Sequence, residues 1–127
     1  MEYGWQKKVV MVNYEPYIQK AIEIRENKQR LLEIRYANAW ETARKAAHIL
    51  KNEYSADEVI LFGSLLHKQF FSLTSDIDVA VSGIPCDKFF QALYAVGFLS
   101  DIRVEMVDIA ECRDYIKEII KKEGIKL

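Results

Sequence analysis

From Tyr17 to Phe62 the chain carries no glycine and no proline, and its apolar positions recur at helical spacing. Leu32, Tyr36, Trp40, Ala43, Ala47 and Leu50 share one helical face, while Glu33, Glu41, Arg44, Lys45 and Lys51 lie largely away from it. Pro16 suits a first helical turn. The pattern predicts a long helix over most of 17–53, with Asn27 as the candidate break. After a turn at Ser55-Ala56-Asp57 the pattern changes. Val59, Ile60 and Leu61 form the middle of a short buried strand, Glu58 to Phe62. The piece from Leu65 to Thr74 is mixed and reads as a short helix followed by a loop. Asp76 to Ser82 is a second strand, and Pro85 opens a helix that runs to Val96 and ends at Gly97. Ile102 to Val107 is a third strand. Glu111 to Lys122 is a final amphipathic helix, stopped at Gly124. Strands alternating with helices predict an α/β (α+β) sheet under helical cover.

The chain has 127 residues, half of them apolar, which is enough for one domain with a real core. A net charge of -1 leaves no basic footprint and argues against a polynucleotide as partner. No apolar run is long enough to span a membrane. The N-terminal "MEYGWQKKVVMVNYEP" has basic residues and a short apolar run without a small-residue cleavage site, so it is expected to belong to the mature protein. Cys86 and Cys112 form no metal-type pair, and the expectation is two reduced thiols in a cytoplasmic protein.

Candidate chemistry is concentrated in "LFGSLLHKQFFSLTSDIDVAVSG", from Leu61 to Gly83. Side chains alternate along a strand, so Asp76 and Asp78 project to one side while Ile77 points into the core. Two carboxylates that close repel each other, and a divalent cation such as Mg²⁺ or Mn²⁺ resolves the repulsion with hard oxygen ligands. Glu105, mid-strand between Val104 and Met106, offers a third acid, because an unpaired charge in an apolar strand is costly. Asp108, at the end of that strand, is the alternative. At the other end of the stretch, Gly63-Ser64 closes a strand and turns toward a helix. Glycine allows close backbone approach, and a helix start attracts anions, so this turn suits a phosphate. A nucleoside triphosphate with its metal answers both ends together.

A strand, Gly-Ser, a spacer and Asp-x-Asp on the next strand resemble the signature of the DNA polymerase β-like nucleotidyltransferase superfamily, and the small size resembles its minimal, antitoxin-like members. The likeness covers roughly Asp57 to Asp108. It implies a small mixed sheet with helices packed against it. The chain then divides into an N-terminal helical extension, 1–55, and a nucleotidyltransferase domain, 56–127, which is one compact unit with the second N-terminal helix. The resemblance implies that Gly63 and Ser64 bind the triphosphate of ATP or another nucleotide. It also implies that Asp76, Asp78 and Glu105 are catalytic and hold Mg²⁺ or Mn²⁺. His67 and Ser75 join the nucleotide-binding candidates. The reaction implied is transfer of a nucleotidyl group, AMP from ATP, to a hydroxyl by two-metal in-line attack at the α-phosphate. The family pattern extends to a helical HEPN-type toxin as partner, with a toxin tyrosine as acceptor. Where that family often has Arg-Gly, this chain has His67-Lys68. The departure motivates a second reading, a binding module that acts as antitoxin or nucleotide sensor with little transfer.

Taken singly, each feature has a plainer explanation. Asp-x-Asp opens many strands, Gly-Ser is common in turns, and Ser75 fits a loop hydrogen bond. Lys68 fits a solvated charge, and the Tyr36–Trp40 stripe fits core or interface. The N-terminal helices are a further candidate surface for partners or for a homo-oligomer.

Overall fold

The computed structural model describes residues 13–127. The stretch 1–12, and with it most of the N-terminal segment assigned above to the mature chain, lies outside the described residues. The chain forms two compact units, Met1–Leu31 and Leu32–Leu127.

In the first unit the described residues begin the long helix α1, Glu15–Glu53. The Asn13 side chain accepts the Glu15 N–H at 3.0 Å and so satisfies one of the free donors at the helix start. Pro16 sits in the first turn, where its missing N–H costs nothing. Asn27 does not break the helix. Its side-chain oxygen accepts a 3.0 Å hydrogen bond from Arg30, one turn on, so it does not compete for the backbone. Tyr17, Ile18, Ile22 and Ile24 are exposed on this part of the helix.

In the second unit a four-stranded sheet is built from β1 (Glu58–Phe62), β2 (Ile77–Ser82), β3 (Val104–Asp108) and β4 (Ile125–Lys126). Its order is β3-β2-β1-β4. β1 runs antiparallel to both β2 and β4, and β2 runs parallel to β3. The parallel pair follows from the crossover through helix α2 (Cys86–Gly97), and helix α3 (Asp114–Glu123) leads into β4. The sheet is therefore mixed, as expected. The short β4 has no counterpart in the periodicity of the sequence, because two residues after Gly124 carry no detectable alternation. The last helix starts at Asp114 instead of Glu111. Residues before it form a turn in which the Asp108 carbonyl accepts the N–H groups of Glu111 and Cys112.

The main core lies on one face of the sheet. Val59, Leu61, Ile77, Val79, Val81, Val104 and Met106 meet Ala39, Ala43, Ala46, Ala47 and Leu50 of α1, with Ala92 and Val96 of α2. Leu32, Tyr36 and Trp40 pack at its margin, so the face assigned to α1 from its spacing is the one that is buried. Ile60 and Ala80 point the other way and pack with Ile120, flanked by Phe62, Val107 and Ile116. Among the described residues no helix is long and apolar enough to cross a membrane.

Candidate functional site

Register sets the site. Asp78 is paired with Phe62 of β1 on one side and with Glu105 of β3 on the other. Alternation puts Ile77 in the core, fully buried, and turns Asp78 and Glu105 to the opposite face of the sheet. Asp76 lies one residue before β2, and the Ile77 N–H donates to the Arg103 carbonyl at 2.9 Å, which extends the β2–β3 pairing to this end. Register thus sets Asp78 beside Glu105, with Asp76 one residue before β2 at the same end of the pair. Asp108 pairs with Val81 at the far end of the strand, and its side chain accepts the Ala110 N–H at 3.0 Å.

Arg103 joins the acids, and sequence reasoning missed it. Its Nη2 donates to Asp76 Oδ2 at 3.1 Å and to Glu105 Oε1 at 2.9 Å. The signal was present: Arg103 stands two residues before Glu105, on the same strand side, and across from Asp76. The carboxylates raise its basicity further, Asp76 through the hydrogen bond and charge, then Glu105 through charge. Asp78 is pushed up to about 6, first by burial and then by the negative charges of Glu105 and Asp76.

Gly63, just past β1, stands against the Asp78 side chain. Its φ is 87° and its ψ is -157°, a combination essentially reserved for glycine. A Cβ there would stand 2.5 Å from Asp78 Oδ2, so the turn and the carboxylate touch only because this residue has no side chain. Ser64 then begins a three-residue 3₁₀ turn, Ser64–Leu66, and a second one follows at Lys68–Phe70. No regular helix starts at Gly-Ser, which corrects the sequence expectation. The run from Leu65 to Phe71 spends its apolar side chains on irregular packing, with Leu65 and Phe71 buried. A single 3₁₀ turn has little aligned dipole, so anion binding here would rest on close backbone approach and the Ser64 hydroxyl.

The remaining candidates are turned toward the protein. His67 Nε2 donates to Glu123 Oε2 of α3 at 2.9 Å. Lys68 places its ammonium over the Tyr36 ring, 5.3 Å from the centroid. The Ser75 hydroxyl accepts the Ser72 N–H at 2.9 Å, inside a Ser72–Thr74–Ser75 cluster. The Ser75 carbonyl accepts from Arg35 Nη2 of α1 at 2.9 Å, which ties the approach to Asp76 to the long helix. On the β3 side, the buried Thr42 hydroxyl donates to Ser100 Oγ at 3.0 Å, and Ser100 accepts the Ile102 N–H at 3.1 Å. Both strands that carry the acids are therefore held at their entry by α1.

A cleft of ≈ 550 Å³ adjoins the acids. Asp78, Arg103 and Glu105 line one side, and Phe90, Tyr94 and Phe98 line the other. Its size suits a nucleotide-sized ligand.

The fit to a divalent cation can be read from the donors. Three carboxylates on neighbouring positions are hard oxygen ligands, and a guanidinium, itself a cation, already rests on two of them. Among the described residues no three His, Cys, Asp or Glu side chains are drawn together as a finished metal cage. Donor chemistry fits the ion, and closing the cage requires the side chains to rearrange around it.

No family model matches the chain. No curated protein matches it either. Solved structures do. A toxin-antitoxin structure with AMP-PNP shares the fold with a TM-score of 0.54 at 18% identity, covering 65% of this chain and 69% of that one. An MntA-HepT toxin-antitoxin structure gives 0.52 at 19% identity, covering 68% and 69%. A variant of that complex, in which two aspartates separated by one residue are both glutamate, gives 0.55 at 17% identity, covering 66% and 70%. At these identities the likeness establishes the fold.

Proposed function

We propose that the second unit is a nucleotidyltransferase that moves a nucleotidyl group, AMP from ATP, to a hydroxyl of a partner protein. The observation that carries this reading is the convergence of Asp76, Asp78 and Glu105 beside the glycine-only turn at Gly63. The fold likeness supports it, since one similar structure holds AMP-PNP and another is altered at an Asp-x-Asp pair. The complexes in which the fold recurs also support a toxin as the partner and an antitoxin role for this chain. A HEPN-type partner with a tyrosine acceptor remains part of the proposal.

In this reading Gly63 lets the triphosphate approach the backbone, and the Ser64 hydroxyl donates to a phosphate oxygen. Asp76, Asp78 and Glu105 would hold the metal ion. Bound there, Mg²⁺ or Mn²⁺ supplies positive charge against the phosphate oxygens and polarises the attacking hydroxyl. The acceptor oxygen bonds to the α-phosphorus as the bond to the pyrophosphate oxygen breaks. Glu105, the more exposed partner of Asp78, takes the hydroxyl proton. The cleft walled by Phe90, Tyr94 and Phe98 gives the reactants a place to lie. Beyond that the protein contributes position and charge.

A second reading rests on His67 and Lys68. Both side chains are engaged within the chain, with Glu123 and Tyr36, at the place where the resembled family often has Arg-Gly. A domain lacking that cation would serve as a binding partner with weak turnover. Calorimetric titration with nucleoside triphosphates, with and without Mg²⁺, separates the two. The transferase reading expects magnesium-dependent binding that disappears in Asp76→Asn/Asp78→Asn. Binding that ignores both magnesium and the double substitution would count against it and favour the second.

A further inference from the structure

We propose that Arg103 is a resident counter-cation of the acid cluster, and that a divalent ion binds by displacing it. The inference rests on the metal-site reading above. One guanidinium nitrogen spans two carboxylates that come from different strands: Asp76, at the entry of β2, and Glu105, on β3. These are two of the three acids that the reading assigns to the metal. Without a cation among them, three carboxylates would face one another across a single pair of neighbouring strands. Arg103 relieves that repulsion and ties Asp76 to Glu105 across the two strands.

The side chain is also free to leave. It is 60% exposed, so the released guanidinium regains water at little cost. Its backbone is fixed, because the Arg103 carbonyl accepts the Ile77 N–H at 2.9 Å. The side chain can therefore move while β2 and β3 keep their pairing. A doubly charged ion that takes oxygens from all three acids outbids one guanidinium that reaches two. An isolated surface ion pair would have no such consequence, and metal affinity tells the two apart.

The test is a calorimetric titration of the metal-stripped full chain with Mn²⁺, without nucleotide. Arg103→Gln removes the competitor and is expected to tighten Mn²⁺ binding about three- to ten-fold, in line with two exposed ion pairs released. Arg103→Lys keeps a cation, but on a shorter side chain and with a more strongly hydrated ammonium, so its affinity should fall between those of the parent and the glutamine variant. Asp76→Asn/Asp78→Asn should show no binding. Circular dichroism confirms that each variant is folded. If the double variant loses Mn²⁺ while Arg103→Gln binds it as the parent does or more weakly, the displacement idea is wrong and the metal site stands. If the parent and the Arg103 variants all fail to bind Mn²⁺, both the metal site and the inference fall.

Discussion

Gly63→Ala is expected to destabilise the protein by about 2–4 kcal/mol and to weaken magnesium-nucleotide binding at least ~10-fold. Two causes add. The backbone at φ 87° and ψ -157° lies where only glycine is comfortable. The new methyl carbon would also stand 2.5 Å from Asp78 Oδ2, well inside contact distance. Either the turn shifts or the carboxylate does, and in both cases the site loses its shape. Gly83 provides the control. It has φ 86°, and a Cβ there would collide with Asp57 Oδ2, at the opposite end of the β1–β2 pair. Gly83→Ala should cost stability on the same scale and leave nucleotide affinity unchanged. Urea unfolding and calorimetry on both variants measure the two effects separately. Equal loss of affinity in both would mean that general destabilisation, and not the Gly63–Asp78 contact, is responsible.

Asp78→Asn is expected to lose nucleotidyl transfer, by roughly 10²–10⁴-fold, while making the metal-free protein more stable at neutral pH. The sign follows from the raised Asp78 pKa. Its carboxyl titrates near 6 in the folded chain, against an ordinary value of 3.8, because burial and the charges of Glu105 and Asp76 disfavour ionisation. A group whose folded pKa is raised contributes stability that is fully present below its unfolded pKa and lost as pH rises through the folded value. The parent should therefore lose about 1–2 kcal/mol between pH 4 and pH 7, roughly half the full conversion because the carboxyl is partly exposed to solvent screening. Asparagine does not ionise, so the variant should lack this slope. Urea unfolding at several pH values in a chelator reads the difference. Parallel pH curves for parent and variant would show that Asp78 carries no such strain.

The stretch from Leu61 to Gly83 was legible because its signals are local. A glycine at a strand end and a period of two decide that Ile77 faces the core and that Asp78 faces the other side of the sheet. The buried face of α1 was legible for a similar reason, since Leu32 through Leu50 repeat over five turns with no glycine or proline to interrupt them. What the sequence hid depends on register. Arg103 is one of eighteen basic residues, and only the parallel pairing of β2 with β3 places it opposite Asp76. His67 and Lys68 read as candidates for phosphate because their partners, Glu123 and Tyr36, are remote in sequence. In α2 two apolar stripes interleave. Ala92 and Val96 are buried while Phe90, Tyr94 and Phe98 face outward, and helical spacing alone does not say which stripe the sheet will take. The run after Gly63 misled for another reason. Leu65 and Phe71 are both drawn into the core, and that demand is met by two 3₁₀ turns instead of a helix.

The central claim is that the acids of β2 and β3, with the turn at Gly63, form one site for a metal-bound nucleoside triphosphate. The measurement that tests it most directly is a crystal structure of the chain grown with Mn²⁺ and a non-hydrolysable ATP analogue, recorded for anomalous scattering. The account predicts a manganese peak bonded to Asp76, Asp78 and Glu105, with the triphosphate lying against Gly63 and Ser64. Manganese or nucleotide bound elsewhere, with Arg103 still seated on Asp76 and Glu105, would contradict it.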